Sequence, residues 1–380
     1  MARTRTEIGP KAGRAEPAAH TREIFYMKAL IAAAALIALT ASPAAAQGRP
    51  GGAPLPGGNI TAPPPPIPAG IKVDSVTVHS PALVGNLEGD SPDRNAVVVL
   101  PASYAKNPKR RYPVIYYLHG FAIDGRNFYN FMHVPEAVDH NAQAGREFIV
   151  VVPDTLTKMG GSMYSSSVTT GDFQTFVARD LVGYIDSHYR TIATRKGRGL
   201  AGHSMGGYGV WTVGMTHPGV FGSIYAQSAC CGLPRTETVE SGTKMAEVPI
   251  VTVEKAGFGM RAGLASMVAW SPNRNNPPYY ADPPVKDGKV DQVVIAEWAN
   301  NSPLAMIPSH VWALRTYDAI GSDVGTKDGL IKDDTAIHEM LDKQGLANQW
   351  ATYEGTHTDH IAQRFDQVVL PFFAQHLAMK

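Results

Sequence analysis

Cysteine is nearly absent from this 380-residue chain, which has only Cys230 and Cys231, side by side. That scarcity excludes a disulfide framework and any Cys-x-x-Cys zinc or redox motif. Two adjacent cysteines form either a strained vicinal bridge or a pair of buried thiols, and the sequence leaves both open. An excess of charge of one sign is also missing: 34 Lys and Arg against 33 Asp and Glu give a formal net charge of +1. This argues against nucleic acid as a partner, because phosphate binding relies on clustered basic side chains. The short run Lys109-Arg110-Arg111 reads as a solvated turn before a strand. The apolar stretch at residues 29–39 falls far short of the roughly 20 residues a membrane span needs. No metal-binding constellation stands out, and no cofactor is expected.

An apolar fraction of 44% with 18% charged residues is that of a globular protein with a sizeable core. From Met27 the chain reads Lys28, an apolar stretch, then small residues ending in Ala44-Ala45-Ala46. Those are the three regions of a secretory signal peptide. Residues 1–46 are therefore expected to be an upstream extension and signal, with Met27 as the start and export to a periplasmic or extracellular space. Residues 47–70, rich in Gly and Pro, read as a linker outside the core, without a membrane span after cleavage.

Order is expected from Ile71, where Ile71-Lys72-Val73-Asp74-Ser75-Val76-Thr77-Val78 alternates like a half-buried strand. Short β-rich runs follow at 96–100, 112–118, 148–152, 199–201, 223–226, 314–320 and 349–353. Several are apolar on both faces, as strands covered by helices on both sides are. Between them Phe173, Phe176, Val177, Leu181, Tyr184 and Ile185 recur at helical spacing, as do Ile337, Met340 and Leu341. Strands alternating with helices predict an α/β fold with a mostly parallel, doubly wound sheet over residues 71–380. Residues 231–307 read as an irregular, proline-rich insertion over the carboxyl edge of the sheet. Its aromatics Trp270, Tyr279, Tyr280 and Trp298 either line a substrate cleft or form the insertion's own core.

The chemistry concentrates in Gly202-His203-Ser204-Met205-Gly206-Gly207. A short apolar strand precedes this Gly-x-Ser-x-Gly sequence and a helix-compatible run follows, the setting of a nucleophile elbow. Ser204 is the expected nucleophile, at a helix N-terminus whose dipole favours a developing oxyanion. Leu118-His119-Gly120-Phe121 also follows an apolar strand. In such a fold the loop there and the residue after the nucleophile each give one backbone N–H to an oxyanion hole, which assigns Phe121 and Met205.

These elements, with His79-Ser80-Pro81-Ala82-Leu83, Tyr112-Pro113-Val114-Ile115-Tyr116-Tyr117-Leu118 and His217-Pro218-Gly219-Val220-Phe221-Gly222, resemble the esterase D family of α/β-hydrolases. That family includes S-formylglutathione hydrolases, feruloyl and acetyl-xylan esterases and mycolyltransferases. The resemblance covers nearly all of the chain from residue 71 except the insertion. It implies the α/β-hydrolase fold and a Ser–Asp–His triad. Asp323-Val324-Gly325-Thr326-Lys327-Asp328 resembles the family's Asp-x-Gly-x-x-Asp, so the triad acid is expected at Asp328, with Asp323 the nearby alternative. The base lies in Glu354-Gly355-Thr356-His357-Thr358-Asp359-His360. His357 is preferred to His360, because Ile361, Phe365, Val368, Val369 and Phe372 mark the buried stripe of a helix, which places His360 in its first turn and His357 on the loop before it. The separation from His357 to Ile361 also matches the relatives.

The expected function is hydrolysis of a small-molecule or polysaccharide-linked ester through an acyl-enzyme. Acyl transfer to a sugar or lipid alcohol by the same triad is the alternative, and a non-catalytic binding module is the alternative from another class.

Overall fold

Strands form where β-branched and aromatic residues run together, and here the central ones are buried on both faces. The computed structural model describes residues 59–380, so the expected signal and the first part of the Gly/Pro-rich stretch lie outside the described residues. Eight strands build the sheet: β1 (Lys72–His79), β2 (Asp93–Leu100), β3 (Val114–Leu118), β4 (Ile149–Pro153), β5 (Arg198–His203), β6 (Ser223–Gln227), β7 (Ala319–Gly325) and β8 (Gln349–Tyr353). They lie in the order β1-β2-β4-β3-β5-β6-β7-β8. β2 runs antiparallel to β1 and β4, and every pairing beyond β4 is parallel. This is a mostly parallel, doubly wound sheet of the α/β-hydrolase kind.

The period-two alternation of a strand divides the core between two layers. Val114, Tyr116 and Leu118 face one apolar cluster, and Ile115 and Tyr117 face the other. Helix α1 (Gly125–Phe131), helix α2 (Val134–Gln143) and the helical segment 361–376 cover the second face, through Phe128, Val138, Phe365, Val369 and Phe373. The first face is covered by the helical segment 173–188 and by helix α3 (Met205–Thr216), in which every residue from Met205 to Met215 is buried. Burying one such aliphatic or aromatic side chain is worth about 1.5–3 kcal/mol. The two clusters therefore hold the strand ends in fixed positions.

Three expectations need correction. The expected strand at 314–320 begins only at Ala319, because Leu314 closes a helix, Pro303–Leu314, whose Ile307, Ala313 and Leu314 are buried. Residues 231–307 are not irregular. They form the helices Val239–Glu247 and Gln292–Asn300, a 3-10 turn Ile250–Lys255, helix α4 (Phe258–Trp270) and the start of Pro303–Leu314. The prolines fall at the joints: Pro249 caps the 3-10 turn, Pro303 opens the last helix, and Pro272 to Pro284 lie between α4 and the helix at 292. Proline is tolerated in a first helical turn and in loops, so density of proline misleads about helix content here. Trp270, Tyr279 and Trp298 are buried, with Trp270 edge-on to Trp298 and the Trp298 indole N–H donating to Ser271 Oγ at 3.0 Å. Of the two readings of these aromatics, the structure favours burial in a core, one that Trp270, Tyr279 and Trp298 share with α3 and the first face of the sheet.

Residues 59–62, expected as linker, are instead hydrogen-bonded to the domain, and Pro65 is buried. Among the described residues no helix is long and apolar enough to cross a membrane.

Candidate active site

The site forms where β5 turns into α3. Ser204 occupies that turn with φ 60° and ψ −117°, a left-handed backbone that a side chain adopts only under constraint. The constraint comes from glycine on both sides. A Cβ on Gly202 would lie 2.3 Å from the Gly206 carbonyl oxygen, and one on Gly206 would lie 2.1 Å from that of Leu118. Only hydrogen fits at either place, and the tight turn lifts the Ser204 hydroxyl off the sheet edge.

Across the sheet, the loop after β8 brings His357 to it. Ser204 Oγ lies 2.9 Å from His357 Nε2, and His357 Nδ1 lies 2.8 Å from Asp328 Oδ2. Asp328 stands on the loop after β7, its side chain buried, while the imidazole is partly open to solvent. Burial alone would push the Asp328 carboxyl up. The hydrogen bond and charge of His357, the Leu330 amide and Ser228 outweigh burial and hold the carboxyl below its ordinary value. An ionised Asp328 fixes His357 with Nδ1–H towards the carboxylate and Nε2 free to accept from the serine.

The alternative residues lie elsewhere. Asp323 accepts from Arg364 Nε at 2.7 Å and from the Tyr225 hydroxyl at 3.0 Å, and burial pushes its carboxyl up. His360 is exposed and is the N-cap of the helix Ile361–Arg364.

Phe121 and Met205 flank the serine. Met205 opens α3, so its N–H is one of the four amides that a helix N-terminus leaves without an intrahelical partner. Gly120 sits against Ser204, where an added Cβ would be 3.4 Å from the serine Cβ, and Phe121 follows it. The Phe121 and Met205 side chains converge on Gly161, and Phe258 of α4 stands edge-on to the Phe121 ring at 5.3 Å.

Two histidines of the same motifs support this arrangement, which sequence reasoning missed. His203 Nε2–H donates to the His357 carbonyl at 2.9 Å. Burial, with the nearby His357 adding to it, lowers the His203 pKa to about 3, so it is a neutral strut. His119 Nδ1–H donates to the Gly120 carbonyl at 2.8 Å while its Nε2 accepts from the Thr155 amide at 2.8 Å. Their positions beside Ser204 and Gly120 were visible in the sequence, but their partners are 154 and 36 residues away.

Cys230 and Cys231 are unbridged thiols with Sγ atoms 2.7 Å apart, and the Cys230 amide donates to the Ser204 carbonyl. Among the described residues no group of three or more His, Cys, Asp or Glu side chains is placed to hold a metal ion.

An eight-stranded sheet in this order, with a serine on the turn after the fifth strand, a histidine after the last and an aspartate between them, defines an α/β-hydrolase with a serine–histidine–aspartate line. A family profile described as "Putative esterase" matches residues 91–369, most of the chain, and the chain belongs to that family. An esterase of Mycobacterium tuberculosis (strain ATCC 25618 / H37Rv) is 32% identical over 146 residues, 36% of this chain. The match spans only 29% of that protein's length. Among solved structures, a ferulic acid esterase superposes with TM-score 0.58 at 22% identity, covering 81% of this chain and 99% of that one. The S-formylglutathione hydrolase of Staphylococcus aureus gives 0.54 at 16%, covering 80% and 99%. At these identities the structural likeness speaks for the fold.

Proposed function

We propose that this protein is an exported serine carboxylic-ester hydrolase working through an acyl-enzyme on Ser204. The observation that carries the reading is the unbroken line from Ser204 Oγ through His357 to Asp328, 2.9 and 2.8 Å long, at the head of a helix. His357 takes the serine proton as Oγ attacks the ester carbonyl, and Asp328 stabilises the imidazolium that results. The Phe121 and Met205 amides hold the tetrahedral oxyanion. His357 then protonates the departing alcohol, and water activated by the same imidazole releases the acid and regenerates Ser204. None of these steps calls on a cofactor.

Family membership supports ester chemistry, and the ferulic acid esterase likeness makes a small-molecule or polysaccharide-linked ester the first substrate class to try. The signal-like segment ending at Ala46 supports export, which N-terminal sequencing of protein recovered outside the cytosol would test. A fluorophosphonate probe and p-nitrophenyl esters test the chemistry. Wild type should label at Ser204 and turn over, and Ser204→Ala should lose both, with kcat lower by about 10^4-fold or more. Near-normal turnover in Ser204→Ala would sink the assignment. Transesterified product in the presence of an added alcohol would turn the reading towards acyl transfer.

A further inference from the structure

Residues 59–62 precede the sheet, and nothing in the serine–histidine–aspartate line uses them. Ile60 is 39% exposed, so apolar burial does not explain their placement. Polar contacts do. The Ile60 N–H donates to the Ala122 carbonyl at 2.5 Å, and Ile60 forms a parallel bridge with Ile123. The Ala62 N–H donates to Asn127 Oδ1 at 3.0 Å, and Asn130 Nδ2 donates to the Ala62 carbonyl at 2.8 Å. Arg261 Nη2, from α4, donates to Asn59 Oδ1 at 3.1 Å. Four residues thus tie together the Phe121–Ile123 loop, α1 and the insertion.

The loop they hold is under strain. Ala122 has φ 59°, a left-handed conformation that costs a non-glycine residue about 1–2 kcal/mol and persists only when its surroundings impose it. Three successive peptide planes are each pinned once. The Gly120–Phe121 plane, which carries the Phe121 N–H, is held by His119 Nδ1–H on the Gly120 carbonyl. The Phe121–Ala122 plane is held by the Ala122 N–H donating to the Gly160 carbonyl at 2.8 Å. The Ala122–Ile123 plane is held by Ile60 alone among the described residues.

We propose that residues 59–62 are a positioning strap that keeps the Phe121 amide aimed at the oxyanion, with Ile60 the positioning residue acting through Ala122. The proposal rests on the assignment of Phe121 as an oxyanion donor. Both acylation and deacylation pass through a tetrahedral oxyanion, so a misaimed donor lowers kcat whichever step limits. Substrate binding in the ground state is little affected.

Ile60→Pro in the full chain removes the N–H donor, while Ile60→Ala keeps it. Losing an oxyanion donor outright costs about 10^2–10^3 in kcat, so misaiming one should cost about 10-fold or more in Ile60→Pro, with KM within about twofold. Ile60→Ala should stay near wild type. The affinity of a boronic acid, whose tetrahedral adduct mimics the oxyanion, should fall in step with kcat/KM. Ala62→Pro, compatible with the proline run that follows it, removes the donor to Asn127 and should shift kcat in the same direction if Ile60→Pro fails to fold. Unchanged kcat and unchanged boronic acid affinity in the folded variants overturn the strap. Turnover retained by Ser204→Ala would instead overturn the underlying active-site reading, and the two failures are separable.

Discussion

His357 is held from three directions, its ring by Asp328 on Nδ1 and Ser204 at Nε2 and its backbone carbonyl by His203. This makes the two histidines of the loop experimentally distinct. His357→Ala should lower kcat by several orders of magnitude, as loss of base and triad does, and His360→Ala should lie within about threefold of wild type. Asp328→Asn should keep the geometry while offering the wrong partner to Nδ1, with a loss of about 10^4-fold. Steady-state kinetics on one activated ester decide these, and a dead His360→Ala beside an active His357→Ala would reverse the choice. Ser204 was legible from the glycines around it, Asp328 from the resemblance of Asp323–Asp328 to the family's Asp-x-Gly-x-x-Asp, and His357 from a loop before a helical stripe together with the relatives' spacing. His203 lay inside the first of these signals and His119 beside the expected oxyanion loop, without their roles showing. Each depends on a hydrogen bond to a distant partner, Thr155 or His357, and spacing along the chain carries no information about that.

Among the elements, the β5–α3 turn has the least freedom. α3 packs so closely on the sheet that Gly206 has the Leu118 carbonyl where a side chain would begin. Gly206→Ala must therefore push α3 away from β3, and the elbow and oxyanion loop with it. Such overpacking costs about 1–3 kcal/mol or more. Urea unfolding should show a lowered midpoint, and the same variant should lose activity beyond what its unfolded fraction explains. A variant as stable and active as wild type would show that the turn is looser than its geometry says. Strands such as Val114–Leu118 were readable because burial on both faces writes a short, continuous apolar run into the sequence, and the parallel order followed from their alternation with helices. The insertion was not readable. Its helices are joined by proline-rich loops, and what holds them is tertiary packing, with Trp270 set between Trp298 and Tyr208 of α3. The strap was hidden for a related reason: it is held by one backbone pair and by the Asn127, Asn130 and Arg261 side chains, whose partners lie 65, 68 and 202 residues away.

Across the whole molecule, buried titratable groups set opposing dependences of stability on pH. His203, with a folded pKa of about 3, is neutral in the fold and binds a proton readily once unfolded. Its contribution is full above the ordinary histidine range near 6.5 and is lost as pH falls from there towards 3. Burial lowers His119 and His217 as well, so both act in the same direction. Glu88 opposes them. It lies in the turn between β1 and β2, with Oε1 accepting the Met159 amide at 2.9 Å. Burial, reinforced by the charge of Asp90, raises its pKa from 4.5 to about 8. A carboxyl raised in the fold contributes stability that is full below its unfolded value and is lost as pH rises through the folded one. Folding at pH 7 must then neutralise a group that is ionised in the unfolded chain, which costs about 3 kcal/mol at ~1.4 kcal/mol per pH unit. Gln in its place keeps an acceptor for Met159 and supplies a permanent N–H donor towards Asp90 without any ionisation. Glu88→Gln should therefore raise the thermal midpoint by several degrees at pH 7 to 8, with the gain shrinking to nothing near pH 4.5. Thermal melts of both proteins across that range decide it. A gain of equal size at every pH would mean that packing is responsible, and a loss at pH 8 would mean that Glu88 is ionised in the folded protein.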